Sequence, residues 1–481
     1  KKPLLIIVGP LSSFRSWDNE WKGCFGVEGD LRRLSGIDKS QKDSFFEEAF
    51  AKGARALPDG ILMHYQTMAS EQSKLAKLFN MCDVMFVIDE AHYIKNTEDG
   101  VWSQAALTLS PLAKSRILLT GTPAPNGYED LYNLMKFLWP KEHVLDFHPN
   151  QLAEISKNPY DSRIPIIKEA IKRWYTRICK RHILPDKLFP VLETRISIEM
   201  DESQVEIYEG IKNALKNQAQ DLFESPQNDS LFRALLIRLM QCASSPNNVY
   251  DALQEERLNR GLNPADEALF SMIEDYGLGR FSEKYAALLQ ICQDVTEGGQ
   301  KVLVWCNFRY SVSQVTKFLM DKGITTVSIH DSGNVGSLDL LENSELQSEL
   351  ERREEILNEF RYNSNISVLV ATPHIMAESV SLHKWCNHAV YFERDWNAAK
   401  FIQSKDRIHR VGLEEGTSTH YYYLIAKNTV EEKLDKRLHD KVDRMIALLE
   451  SDEVPLFELL ESDGSSLNLW HEILRDYVQE S

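Results

Sequence analysis

Leu4-Leu5-Ile6-Ile7-Val8 is an unbroken apolar run that stops at Gly9-Pro10. A strand that alternates apolar and polar residues leaves one face wet. An unbroken run has no wet face and must be covered on both sides. The pattern returns at Asp59–Met63, Val84–Ile88 and Ile117–Leu119, and again at Lys301–Trp305, Thr325–Ile329, Val368–Val370, Ala389–Phe392 and His420–Leu424. Stretches of helical periodicity separate these runs. Doubly buried strands alternating with helices form parallel sheets covered by helices, so the chain is predicted to be α/β, with two such units.

Between the two groups of runs, from about 127 to 280, the character changes. Residues 129–139 are amphipathic, 165–183 are helical and basic, and 201–245 read as long helix with Leu231, Leu235, Leu236 and Leu239 on one face. Residues 225–230 and 244–266 hold the Pro, Asn and Ser and read as loops, and Leu192–Ile198 is the one candidate strand. This is predicted to be a helical insertion. Amphipathic helices are also expected at 342–360 and 429–450. The resulting division is a first sheet unit at 1–140, the helical insertion and linker at 141–280, a second sheet unit at 281–445 and a tail at 446–481.

The net charge of −17 argues against a protein that coats nucleic acid by bulk charge. Its distribution changes that reading. Residues 201–276 hold 14 acidic and 6 basic side chains, and residues 446–481 hold 9 and 1, so the remainder is nearly neutral. Residues 168–195 carry 8 bases against 3 acids. The acidic tail is a candidate protein-docking segment. The 7 cysteines form no CxxC pair, which fits reduced thiols in a cytoplasmic or nuclear protein. No apolar run reaches the roughly 18 residues of a membrane span. The opening Lys1-Lys2-Pro3, without an initiator Met, reads as the start of a piece of a longer protein.

Asp89-Glu90-Ala91-His92 directly follows the run Val84–Ile88. In open parallel sheets, ligands bind at the carboxyl ends of strands. Two adjacent carboxylates there suit metal-assisted phosphoryl transfer, with Asp89 toward Mg²⁺ and Glu90 toward an attacking water. Thr120 and Thr122, after the next run, can hydrogen-bond a carboxylate loop. Gln403, Asp406, Arg407, His409 and Arg410 form one cluster after the run at 389–392. Arg407 and Arg410 are three apart and would share a helix face, from which arginines can neutralise charge growing on a γ-phosphate.

With these motifs in place, the chain resembles the motor of superfamily-two helicases, and specifically the Swi/Snf-type DNA translocases, over about residues 4–445. The resemblance rests on Asp89-Glu90-Ala91-His92 with Ile94-Lys95-Asn96, on Leu118-Leu119-Thr120-Gly121-Thr122-Pro123 with Asn126, and on Asp395-Trp396-Asn397 ahead of Asp406-Arg407, His409-Arg410 and Gly412. The long helical stretch between the units is a further mark. The resemblance implies two RecA-like lobes with ATP and Mg²⁺ as cofactors and double-stranded DNA as partner. It implies catalytic roles for Asp89 (also the metal residue), Glu90, His92, Arg407 and Arg410, and nucleotide contacts from Gln403, Asp406, Thr120, Thr122 and Glu378. It implies nucleic-acid contacts from Ser12 or Ser13 in Gly9–Ser13, from Thr67 in Tyr65-Gln66-Thr67, from Asn307, Thr372 and Trp396, and from the basic residues Arg173 and Arg177.

Two departures stand out. No Gly-Lys-Thr/Ser phosphate loop occurs. The family carries it roughly 25 residues before the segment matched at Gly9, so it is expected upstream of Lys1, and these residues alone are expected to bind ATP poorly. In addition, Val370–Leu382 replaces the family's glycines with bulkier residues, which puts the close backbone approach in question. The expected function is an ATP-driven duplex-DNA translocase, in a bacterial or phage-defence setting. A strand-separating DNA or RNA helicase and a nucleotide-inactive DNA-binding scaffold remain the alternatives.

Overall fold

A computed structural model describes residues 2–26, 28–97, 100–121, 127–156, 158, 161–176, 189–223, 229–260, 264–277, 279–329, 343–373, 380–394 and 398–450. Thr122, Arg177, Glu378, Trp396 and the tail beyond 450 lie outside them, as does the side chain of Ser12. The chain divides into two compact units, the first holding residues 1–179 and the second holding 180–334 and 353–443.

The first unit contains a five-stranded parallel sheet. Its strands are β1 (Pro3–Val8), β2 (Leu31–Arg33), β3 (Gly60–Met63), β4 (Asp83–Asp89) and β5 (Ser115–Leu119), in the order β2-β3-β1-β4-β5. Successive side chains of a strand point to opposite faces. In β1, Leu4, Ile6 and Val8 enter a core with Phe46, Phe79, Phe86 and Phe137, while Ile7 packs on the other face with Phe14, Leu62 and Val87. The unbroken apolar run is therefore used on both sides, at roughly 1.5–3 kcal/mol per buried large side chain. The helix Phe14–Phe25 covers one face and ends where Gly26, at φ +68°, donates its N–H to the Lys22 carbonyl.

The second unit contains a six-stranded parallel sheet. Its strands are β6 (Val191–Ile198), β7 (Val302–Trp305), β8 (Thr326–Ile329), β9 (Val368–Ala371), β10 (His388–Tyr391) and β11 (Thr419–Ala426), in the order β6-β11-β10-β7-β9-β8. β7, β9 and β10 are buried along their whole length. The α/β expectation and its strands are met in both units.

The candidate strand at 192–198 is present: residues 191–198 form the edge strand of the second sheet, inside the stretch expected to be a helical insertion. Only Ile198 in it is buried, and a polar edge strand gives hydropathy little to register. Residues 244–266, expected as loop, are mostly helical, as Pro246–Arg260 and Pro264–Tyr276. Both prolines stand at the first helical position, where a missing N–H costs nothing. The Asn residues there are buried hydrogen-bonding groups: Asn247 Nδ2 donates to the Arg280 carbonyl at 2.9 Å. β2 escaped notice because it is three residues long and mostly exposed. The basic helix ends at Lys172, earlier than its pattern suggested.

The helices Glu202–Phe223, Asp229–Ser244, Pro246–Arg260 and Pro264–Tyr276 share a core of Ile207, Tyr208, Leu236, Leu239, Leu253 and Ile273. That core continues into Ala426 and Val430, at the end of β11 and the start of the helix Val430–Glu450. A buried ion pair fixes the junction. Lys284 Nζ lies 2.6 and 2.8 Å from the Glu431 carboxylate oxygens and 3.3 Å from Ser244 Oγ, and Glu431 also accepts the Ala426 N–H. Among the described residues, six cysteines are free thiols, five of them buried, and no helix is long and apolar enough to cross a membrane.

Lys284→Ala leaves a buried carboxylate unpaired, and we expect it to cost about 3–5 kcal/mol in urea unfolding. Replacing both partners, as Lys284→Met with Glu431→Leu, is expected to cost less than either single change. Additive losses would show that the pair is not an energetic unit.

Candidate functional site

Register brings the chemistry of the first unit to one edge. Val8 of β1 pairs with Met63 of β3 and with Ile88 of β4, and Asp89 of β4 pairs with Leu119 of β5. The residues that follow these ends (Gly9, His64-Tyr65, Glu90 and Thr120) therefore line the carboxyl edge of the sheet. This is the position at which open parallel sheets bind ligands.

Asp89 is the centre of the row. Its Oδ2 accepts a hydrogen bond from Trp17 Nε1 at 3.0 Å, and its Oδ1 accepts the Glu90 N–H at 3.0 Å. Burial raises the Asp89 carboxyl above its ordinary value, and the Glu90 charge adds to this. The hydrogen bonds from Trp17, Ser13 and the Glu90 amide act in the opposite direction. Gly9 permits this crowding: a Cβ there would sit 3.0 Å from Asp89 Cβ and 3.1 Å from Ser13 Oγ.

Glu90 stands in the left-handed region, with φ 54° and ψ 54°. A non-glycine residue held there stores of order 1–3 kcal/mol and is found where surroundings over-determine it. The surroundings here are a hydroxyl and an aromatic cluster. Tyr65 Oη donates to the Asp89 carbonyl at 2.5 Å, with the Glu90 carbonyl at 3.2 Å. The Tyr65 ring contacts Trp102 at 5.4 Å and Tyr93 at 5.3 Å, and Trp102 Nε1 donates to Gln66 Oε1 at 3.2 Å. His92 Nδ1 lies 3.3 Å from Glu90 Oε2 without hydrogen-bond alignment, and its ring contacts Tyr93 at 4.6 Å. Asn133 Nδ2 ties the loop from below by donating to the Asn96 carbonyl at 2.5 Å.

The sequence-derived residues divide by placement. Asp89, Glu90, His92 and the half-buried Thr120 stand together on this edge. Ser13 is 3% exposed and its hydroxyl donates to the Pro10 carbonyl. Thr67 is 7% exposed with its hydroxyl 2.6 Å from Ser35 Oγ. Both hydroxyls are engaged inside the lobe. Arg173 is exposed at the end of the helix Ile164–Lys172.

In the second unit the helix Ala398–Lys405 ends before the arginines, so the shared-face expectation for Arg407 and Arg410 does not hold. Arg407 is buried. Its Nε donates to the Gln403 carbonyl at 3.0 Å and another guanidinium nitrogen to the Val380 carbonyl at 3.1 Å, while the Leu382 N–H donates back to the Arg407 carbonyl at 2.9 Å. Arg410 is exposed, and Gln403 and Asp406 are half-buried beside it in the chain. Burial lowers the His383 imidazole below its ordinary value, and the charges of Lys384 and Arg410 act the same way. Gly412 at φ +101° lets the backbone close on this ring, since a Cβ would lie 2.9 Å from His383 Nε2. Thr372 follows β9 and is buried, while Asn307 follows β7 and is half-buried.

Sequence reasoning missed Glu393. It follows β10 and is buried, accepting the Asn307 and Phe308 N–H groups at 2.8 and 3.0 Å, Ser311 Oγ at 2.6 Å and Asn248 Nδ2 at 3.3 Å. The available signal was an acid at the end of an unbroken apolar run, the same signal that marks Asp89. The Tyr65 and Trp17 contacts with the Asp89–Glu90 turn had no local signal, because their partners are more than twenty residues away in sequence.

The SNF2-related domain family matches residues 1–249, and the helicase conserved C-terminal domain family matches residues 283–412. The chain belongs to the SNF2-related family. It is 25% identical over 432 residues to the CHD3-type chromatin-remodeling factor CHR7 of Arabidopsis thaliana, covering 89% of this chain and 32% of that protein. It is 23% identical over 363 residues to the uncharacterized ATP-dependent helicase YqhH of Bacillus subtilis (strain 168), covering 74% of this chain and 58% of that protein. The chain thus spans less than two thirds of the length of either relative. The solved Sulfolobus solfataricus SWI2/SNF2 ATPase core in complex with dsDNA aligns at 21% identity with a TM-score of 0.40, over 99% of this chain and 86% of that one.

Gly9→Ala forces Asp89 or Ser13 to move, and we expect a loss of about 1–3 kcal/mol with a change in Trp17 fluorescence. Gly23→Ala, where a Cβ meets nothing within 4 Å, is the control and is expected to be neutral or stabilising. Equal behaviour of the two variants would mean that the Gly9 contact is not tight.

Proposed function

We propose that the chain is the motor part of an ATP-driven translocase on double-stranded DNA, a DNA-dependent ATPase of helicase superfamily two. The observation that carries the proposal is the row of strand ends in which Asp89, the left-handed Glu90 and Thr120 stand together. Residues 1–140 are read as the first RecA-like lobe and residues 281–445 as the second, with β6 added to the second.

Asp89 fits a Mg²⁺ held through water. Its oxygens accept the Trp17 and Glu90 N–H groups and Ser13 also hydrogen-bonds the carboxyl, and a carboxylate's further lone pairs can accept from a metal-bound water. Among the described residues no cluster of three or more ligating side chains exists. Mg²⁺ is commonly bound by one or two carboxylates together with substrate phosphates and waters. Bound Mg²⁺ supplies neutralisation of charge on the β- and γ-phosphates. Glu90 orients and deprotonates the attacking water, and His92 neighbours its carboxylate. Thr120, Gln403 and Asp406, among the described residues, are proposed to contact the nucleotide together with Thr122 and Glu378.

The two arginines take different parts. Arg410, exposed, is the residue that reaches a γ-phosphate. Arg407, held by the carbonyls of Gln403 and Val380, positions the loop that carries Arg410. The bulky 380–382 segment thus supports the arginine loop through backbone groups. Arg173, Asn307 and Thr372, with Ser12, Trp396 and Arg177, are proposed to meet DNA. Ser13 and Thr67 act on DNA through the segments whose backbones they fix. Such contacts go to phosphates, so binding is nearly sequence-blind and salt-dependent. The relatives named above are a chromatin-remodeling factor and an uncharacterized ATP-dependent helicase, which lend no support to the phage-defence setting.

The test uses the full-length protein. Duplex DNA is expected to stimulate ATP hydrolysis, and the protein to displace a triplex strand without separating the duplex. Glu90→Gln is expected to abolish the stimulated rate while sparing DNA binding, and Arg410→Ala to lower it by about 10³-fold or more. Hydrolysis that persists in Glu90→Gln would remove Glu90 as the water-orienting group, and strand separation would replace the translocase with a helicase.

A further inference from the structure

Tyr65 is fully buried, yet its hydroxyl is directed at Glu90, the described non-glycine residue of the first unit that has a positive φ. In a strand, successive carbonyls point to opposite sides. A helical turn of either hand brings two successive carbonyls to the same side. The Asp89 carbonyl at 2.5 Å and the Glu90 carbonyl at 3.2 Å converge on one hydroxyl because Glu90 has left the extended region for φ 54°, ψ 54°. The turn is closed on its far side by the Tyr93 N–H, which donates to the Glu90 carbonyl at 3.1 Å. Tyr65 begins the helix Tyr65–Ser70, and the next two residues are Gln66, bonded to Trp102, and Thr67, bonded to Ser35. The hydroxyl therefore joins the strand-end segment 64–67 directly to the backbone of the carboxylate pair.

We propose that Tyr65 is a positioning residue that holds Glu90 in its left-handed turn and couples the orientation of its carboxylate to the segment 64–67. The inference rests on the motor reading above. Without the hydroxyl, the turn loses one hydrogen bond and the 90–93 segment samples conformations in which Glu90 is misdirected. Binding of ATP and of DNA does not need that hydroxyl, so the effect falls on turnover.

Tyr65→Phe keeps the ring and its contacts with Trp102 and Tyr93 and removes only the hydroxyl. In the full-length protein, DNA-stimulated kcat is expected to fall about tenfold, the scale of one lost hydrogen bond. KM for ATP and Kd for duplex DNA are expected to stay within about twofold. Ser110→Ala is the matched control for lost stability. It removes a buried hydroxyl bonded to the Phe137 carbonyl at 2.5 Å, on a segment apart from the strand-end row, and is expected to leave kcat within about twofold. A second readout needs no variant: the Tyr93 amide of the wild-type protein is expected to resist hydrogen exchange as well as the core of the first unit. The inference is overturned by a Tyr65→Phe kcat within twofold of wild type, by a loss no larger than that of Ser110→Ala, by a loss that appears only in KM, or by fast exchange at the Tyr93 amide. A wild-type protein that DNA does not stimulate would sink the motor reading itself, which the variant comparison distinguishes from a failure at Tyr65.

Discussion

Parallel pairing in a single register is the constraint on which the site depends. Once Val8 is aligned with Met63 and Ile88, and Asp89 with Leu119, the residues that follow these strand ends, Gly9, Tyr65, Glu90 and Thr120, must appear at the same edge. The apolar runs fix that register because a slip by one residue would exchange the side chains of Ile6 and Ile7 between two separate cores. Burial of Leu, Ile and Val inside the sheet therefore places carboxylates, hydroxyls and an aromatic cluster outside it.

The fold was legible wherever hydrophobicity alone decided it. Apolar runs mark the doubly buried strands, and an acid at the end of such a run marks Asp89. Legibility failed where polar atoms are buried. Asn247, Asn248 and Ser244 look like loop formers until their partners at Arg280, Glu393 and Lys284 are known, and these partners lie 33 to 145 residues away. β6 was legible only faintly, as the one candidate strand between the two groups of runs, because its own residues Glu193 and Arg195 are exposed on an edge, where Arg195 reaches Asp435 at 3.1 Å.

The arginine pair shows how spacing misleads when an element ends early. Residues three apart share a face only while the helix continues. The helix stops at Lys405, so Arg407 turns inward to backbone carbonyls and Arg410 turns out. Arg407 is anchored on the segment that departs from the family's glycine-rich pattern. Backbone carbonyls and amides at Val380 and Leu382 make those contacts, and these groups survive any side-chain replacement that keeps the backbone path. Loss of the glycines is thus compatible with a braced arginine loop.

The first unit concentrates unfavourable terms at one place. Asp89 is a carboxylate that burial works against, and Glu90 occupies a backbone region that side chains disfavour. Left alone, either would relax by protonation or by reverting to extended backbone. Neither is free to do so. Trp17, Ser13 and the Glu90 amide hold the first, and Tyr65 and the Tyr93 amide hold the second. Removing a support should therefore release strain as well as lose a hydrogen bond, so the folded chain should lose less stability than turnover. A support whose removal costs turnover far more than stability is what separates a positioning residue from an ordinary core residue such as Phe46 or Phe79.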